Sequence, residues 1–296
     1  MSTSGASADL LRLLGGFVET PGDAHRGWAA ALGLVAPESL AAWRKRHAQS
    51  FVEQCYPFAS VYLGSEGAIG GEAADRVAGF RGLLGARIDG SPDALAPLLA
   101  DYAALVERSE SDPRARHARK AMLWEHLLCW LMPFLDSVVR VAPAPYAPWA
   151  SVVRDVFLCE ATLLGDPGRM PLHLREAPIA DIGKHANSLD DVAGGLLVPV
   201  CSGIVLTRRD LSCIADELGV AMHVGNRRLL LRSLLEQQPA ATLRQLADEA
   251  GRQARGYARD RATLGSISDF WSERALATVA AIDAMAVQVS AAAIAS

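Results

Sequence analysis

His126, Trp130 and Phe134 stand four residues apart, so on a helix they share one face and align a titratable ring with two larger aromatic ones. Pro133 lies in the same run, Leu123-Trp124-Glu125-His126-Leu127-Leu128-Cys129-Trp130-Leu131-Met132-Pro133-Phe134-Leu135-Asp136. Proline has no N–H for the carbonyl of Cys129 and its ring crowds that turn, so a kink or break is expected, with a carbonyl left free beside Trp130. Two readings follow: a core helix with a satisfied histidine and a tolerated kink, or a polar and aromatic site at a helix break. A second segment, Tyr56-Pro57-Phe58-Ala59-Ser60-Val61-Tyr62-Leu63-Gly64, followed by Gly67, Gly70 and Gly71, carries rings where a plain connection would be polar. If extended, it sets Tyr56, Phe58, Ser60 and Tyr62 on one side. Pro57 fixes its own φ and holds Tyr56 out of the α region. The segment is either a loop pinned to the core by its aromatics or one wall of a groove that receives a peptide.

Neither segment alone decides the function. The chain has no G-x-G-x-x-G, no phosphate-binding G-x-x-x-x-G-K, no H-E-x-x-H and no nucleophile elbow. His173 and His185 lack metal-ligand spacing. An enzyme is not expected, nor a metal or cofactor of the protein's own. Cys55, Cys129, Cys159, Cys201 and Cys213 are scattered, odd in number and free of any C-x-x-C pair, which fits a reducing cytoplasm rather than a disulfide framework or zinc site. A formal net charge of -4 offers no electrostatic reason to bind duplex nucleic acid or anionic lipid. Met1 to Ser7 carry no Lys or Arg, so no secretory signal is expected. Ala275 to Ser296 approaches membrane-span length, yet alanine dominates it and Asp283, Gln288 and Ser290 interrupt it; a packed helix is expected instead.

The elements that must position these residues are helical. Leu10, Leu11, Leu14, Phe17 and Val18 form an early apolar stripe closed by Thr20-Pro21-Gly22. Pro37 suits a first turn ahead of Leu40, Trp43, His47 and Phe51. Val77, Phe80 and Leu84 continue the periodicity to a stop at Gly85. Ser91-Pro92-Asp93 reads as cap, first-turn proline and first-turn acid before Leu95, Leu98, Leu99, Tyr102 and Val106. Asp112-Pro113 repeats that grammar before the longest apolar helix, roughly Arg114 to Val141, and another helix is expected from about Pro148 to Leu164. Later signals run over Ser188 to Leu197, Thr207 to Leu218, Asn226 to Gln237, Thr242 to Tyr257 and from Ser268 onward, with Ser188-x-x-Asp191 and Thr207-x-x-Asp210 as cap-and-acid starts. With no run of alternating β-branched residues and no fixed repeat, the expected fold class is all-α.

Tyr56-Pro57-Phe58-Ala59-Ser60-Val61-Tyr62-Leu63, with Gly70 after it, resembles the P-P-W-x-S-V-Y-L stretch of the TorD/DmsD/NarJ family of redox-enzyme maturation chaperones. His126-Leu127-Leu128-Cys129-Trp130 and Phe134-Leu135-Asp136 resemble that family's H-L-x-P-W-x-x-x-F-L-D element, and Ser91-Pro92-Asp93-Ala94 falls where it has an acidic-Pro-x-Asp-His turn. The family's histidine after the aspartate is Ala94 here, and the glutamate before the proline is absent. The resemblance covers roughly Leu10 to Leu164 and implies a TorD-like helical chaperone domain over 1–164. Residues 165–187 then form a linker or long ordered loop, and 188–296 a C-terminal helical extension.

The resemblance further implies a cytoplasmic protein that binds the twin-arginine leader or apo form of a molybdopterin oxidoreductase subunit and holds it for cofactor insertion. The molybdenum cofactor would belong to the client. Carboxylates are then needed for the guanidinium groups and aromatic walls for the apolar remainder. By motif, Asp93, Glu125 and Asp136 are the nearest carboxylates, Tyr56, Phe58, Tyr62, Trp130 and Phe134 the candidate walls, and Ser60 and His126 lie among them. A monomer or domain-swapped dimer is the expected state. Guanine-nucleotide binding is associated with such proteins, but no phosphate cradle is recognisable here. A competing reading comes from about 207–237, where Leu211 to Val220 and Asn226-Arg227-Arg228-Leu229-Leu230 resemble a helix-turn-helix of a DNA-binding regulator. Its positive charges only slightly exceed its negative ones, which argues against a basic reading face.

Overall fold

The computed structural model describes residues 6–65, 68–87, 89–178, 182, 188–221 and 225–295, with side chains as far as Val289. Its helices are α1 (Ala8–Gly16), α2 (Ala24–Ala31), α3 (Leu40–His47, passing into a π-wound turn at Ala48–Val52), α4 (Ala59–Leu63), α5 (Glu72–Leu83) and α6 (Leu95–Arg108). Then come α7 (Pro113–Ala121), a π-wound segment Met122–Leu127, α8 (Leu128–Val141), α9 (Tyr146–Leu164) and α10 (Leu172–Glu176). The remainder are α11 (Leu189–Leu196), α12 (Pro199–Ser202), α13 (Arg208–Leu218), α14 (Arg227–Gln237), α15 (Pro239–Ala258), α16 (Arg261–Leu264) and α17 (Ser266–Ala295). Among the described residues there is no strand, only one antiparallel bridge between Phe58 and Ala94; the protein is all-α. Two compact units make up the chain: residues 1–175 with 263–265, and residues 176–262 with 266–296.

The helix starts follow local chemistry. Asp112 accepts the N–H of Arg114 ahead of Pro113, Ser188 accepts that of Asp191, and Thr207 and Asp210 form a reciprocal capping box. Asn226 caps α14 by accepting from Leu229. Three local expectations are corrected. Pro37 lies outside α3, whose cap is Ser39, accepting from Ala42. Ser91-Pro92-Asp93 does not open α6, which begins at Leu95 after Ala94. Pro133 does not break its helix: α7, the π-wound segment and α8 run as 29 continuous residues, and the departure from α geometry lies upstream of the proline. Leu128 to Leu135 are all buried. Several apolar side chains at about 2 kcal/mol each outweigh the roughly 3 kcal/mol that a helical proline costs.

In the first unit α1 lies so close to α6 that a Cβ on Gly15 would stand 3.1 Å from Leu99 Cβ and 3.2 Å from the Ala96 carbonyl oxygen. The core is aromatic. Phe51 meets Tyr146 and Trp149 edge-on at 4.8 and 5.7 Å between ring centroids, Phe134 lies 6.4 Å from Trp149, and the Trp149 indole donates to the Leu14 carbonyl. Glu160, fully buried, accepts from Tyr102 Oη (2.6 Å), the Ala6 N–H (2.8 Å) and the Arg119 guanidinium. The 29-residue helix is long and apolar enough to cross a membrane, but most of its apolar window is covered by the protein itself, as in a core helix.

The second unit packs leucines from α11, α13, α14 and α15 and, between α15 and α17, the buried rings of Tyr257, Phe270 and Trp271. α15 and α17 pair antiparallel: Ser268 Oγ donates to the Tyr257 carbonyl and Ser272 Oγ to that of Ala254. Gln253 on α15 accepts from the Val205 N–H (2.8 Å) and donates to its carbonyl (3.0 Å), fixing the 203–207 segment. Gly203 sits at φ +72°, and a Cβ there would meet the Ala275 nitrogen at 2.3 Å, so only glycine fits.

Candidate functional site

The 56–63 segment is only half extended. Pro57 and Phe58 run alongside Asp93–Leu95, with Ala59 N–H donating to the Asp93 carbonyl (3.1 Å) and Leu95 N–H to that of Pro57 (2.9 Å). From Ala59 the chain turns into α4, so Ser60 and Tyr62 do not continue the side that Tyr56 and Phe58 present. This corrects the extended reading, and the cause is remote in sequence. Phe58, the residue at the cap position, has no side-chain acceptor; the Asp93 carboxylate supplies one, taking the Ser60 N–H at 2.8 Å and the Ser91 hydroxyl at 3.2 Å. Asp93 thus stabilises a helix N-terminus, but that of α4 rather than α6. Ser60 Oγ accepts the Gly70 N–H, tying the glycine-rich turn down.

The two motifs meet at Tyr62. Its ring stacks on Trp130 at 5.6 Å and meets Phe134 edge-on at 5.9 Å. Tyr62 is 1% exposed, Trp130 and Phe134 0%, and Asp93 and Ser60 0%. These five join the motifs from inside rather than lining an open face. The Trp130 indole donates to the His126 carbonyl (2.8 Å) and Cys129 Sγ approaches that of Glu125 (3.2 Å), so side chains engage carbonyls of the π-wound turn. Burial, with the nearby Glu125 charge adding to it, pushes the Cys129 thiol well up.

The accessible remainder is Tyr56, Phe58, Glu125, His126 and Asp136, all part-buried. Asp136 is paired with Arg154 on α9. Glu125 Oε2 accepts the N–H of Leu172, the first residue of α10, at 2.8 Å. His126 lies 4.5 Å from the Phe80 ring and 6.4 Å from that of His173, and its Nδ1 is buried with no hydrogen-bond partner among the described residues. Burial first, and His173 second, lower its pKa to about 4, so the ring is neutral at pH 7. Phe80, Leu172 and His173 were missed as neighbours of this site; His173 reaches it across 47 positions, which no local spacing signals.

At the competing helix-turn-helix, Arg227 donates to the Leu206 carbonyl, Arg228 makes a two-point pair with Asp190 (2.7 and 2.8 Å), and Arg232 pairs with Glu236. The arginines at the start of α14 are therefore engaged within the second unit. Residues 222–224 of the intervening turn, and His185, lie outside the described residues. Among the described residues no group of three or more His, Cys, Asp or Glu is placed to hold a metal ion.

Comparison with known proteins leaves the site to speak for itself. No family model, no curated protein and no solved structure matches the chain.

Proposed function

We propose that this protein is a cytoplasmic chaperone of the TorD/DmsD/NarJ kind. It binds the leader or apo form of a molybdopterin oxidoreductase subunit and holds it until the cofactor, which belongs to the client, is inserted. The observation that carries the reading is the convergence of the three stretches behind the resemblance: Asp93 caps the helix that contains Tyr62, and Tyr62 stacks on Trp130. Stretches more than thirty residues apart thereby form one packed feature. Tyr56 and Phe58 offer ring surface beside it, and Glu125 offers a part-exposed carboxylate with the reach and sign for a guanidinium.

A releasable client calls for modest affinity. Ordering a disordered leader removes about 2–5 kcal/mol of contact energy, and a net of about −8 kcal/mol corresponds to micromolar binding. Titration calorimetry of the full chain with a twin-arginine leader peptide, and with its twin-lysine counterpart, is the test. Micromolar binding to the first, at least about tenfold weaker binding to the second, and a similar loss in a Tyr56→Ala/Phe58→Ala variant are expected; about 1.4 kcal/mol corresponds to each tenfold step. No binding of either the leader or an apo subunit by folded protein would end this reading.

A further inference from the structure

The run that follows α9 doubles back over the π-wound turn. Lys120 Nζ donates to the Asp166 carbonyl (2.7 Å), Leu172 N–H donates to Glu125, His173 stands against His126, and Pro171 and Leu174 are buried, Leu174 completely. All of these contacts lie within the first unit. The run is Gly165-Asp166-Pro167-Gly168-Arg169-Met170-Pro171-Leu172-His173-Leu174-Arg175: two exposed arginines bracketing apolar residues. Glu125 takes the Leu172 N–H and Arg175 donates to the Met170 carbonyl, so backbone and apolar side chains of the run, rather than a guanidinium, hold this face.

We infer that residues 166–175 form a strap that occupies the Glu125–His126 face as an internal stand-in for the client, and that a client binds by displacing it. The identity of the displacing partner rests on the chaperone reading; the strap itself does not. The contacts are of a kind that can open. Glu125 is only part-buried, Lys120 grips a backbone carbonyl at the surface, and Gly165 (φ +67°) and Gly168 (φ +76°) stand at the near end, where the chain leaves α9. The strap also covers His126 without giving its Nδ1 a partner. A ligand that supplies a hydrogen-bonding group there makes a bond that the strap leaves unmade.

The test uses the full chain and a fluorescent synthetic peptide with the sequence of residues 165–176. A tethered segment competes at an effective concentration on the order of millimolar, so wild type should not take up micromolar peptide. Leu174→Asp, which expels the strap's buried side chain, should bind the peptide but not a scrambled one. Tryptic cleavage after Arg169 and Arg175 should rise at least about tenfold in that variant, in line with a local opening. If circular dichroism shows Leu174→Asp unfolded, Leu174→Ala, which leaves the receiving groups Lys120 and Glu125 intact, serves instead, with the same two readouts.

A folded release variant that leaves the peptide unbound and is cleaved at the wild-type rate overturns the strap. If the peptide binds in trans but a twin-arginine leader does not compete with it, the strap stands and the chaperone reading fails. If the leader binds wild type without raising cleavage after Arg169 and Arg175, the chaperone reading stands and the strap falls.

Discussion

Asp93 and Glu125 do the same chemical thing in different surroundings. Each carboxylate lies outside a short helix and takes a backbone N–H from its first turn, Ser60 of α4 for Asp93 and Leu172 of α10 for Glu125. Asp93 is fully buried, holds Ser91 as well, and joins segments beside the stacked Tyr62 and Trp130 rings. Glu125 is part-exposed and holds a segment whose neighbouring His126 lacks a partner at Nδ1 among the described residues. One hydrogen-bond type therefore makes a permanent joint in the first place and a releasable one in the second. Water access decides which: a buried N–H that loses its acceptor has nowhere to go, whereas a part-buried one lies within reach of solvent.

Substitutions can break that contrast. The largest effect belongs to the rings that the permanent joint holds together: Trp130→Ala should cost about 4 kcal/mol of stability, read from urea unfolding. A much smaller cost would mean that Trp130 is a groove wall rather than core. Asp93→Ala should cost about 3 kcal/mol, because it strands a buried donor, and Asp93→Asn should recover part of it. Retention of wild-type stability by Asp93→Ala would erase the difference between the two joints.

Acid sharpens the comparison, since His126 sits beside the second joint. Its folded pKa of about 4 is below the ordinary 6.5, so between those values the unfolded chain binds more protons and stability rises with pH. Stability should accordingly fall as pH drops from about 6.5 to about 4, by about 2 kcal/mol once part exposure is allowed for. His126→Leu should flatten that stretch of the pH profile; an unchanged slope would show that the ring is not held neutral by its surroundings. The smallest global effect belongs to Glu125→Gln, about 1 kcal/mol, as for loss of a helix cap. Amide exchange at residues 172–175 should nonetheless quicken several-fold, because local opening needs less than global unfolding.

Elements whose signals are local were legible in the sequence. Asp112-Pro113, Ser188-x-x-Asp191 and Thr207-x-x-Asp210 each carry cap and acid within a few residues, and their helices begin where those residues stand. α4 was hidden because its capping group comes from Asp93, thirty-three positions on, while Pro57 and the aromatics around it favour an extended reading. Pro133 misled for a related reason. A proline's local cost is visible in a sequence, and the burial that overrides it is not. At the site, the residue types were readable but their exposure was not: periodicity put Trp130 and Phe134 on one face without saying whether that face looks into the core or into a groove. Glu125 and His126 were named from the motif, and their partners Leu172 and His173 came from the stretch expected to be a linker or ordered loop.

Hydrogen exchange read by mass spectrometry on the full chain, with and without a twin-arginine leader peptide, tests the central claim most directly. Faster exchange at residues 172–175, together with protection around Tyr56–Phe58 and Glu125–His126, is the expected result. Protection confined to another part of the chain, with residues 172–175 unchanged at saturating peptide, would contradict it.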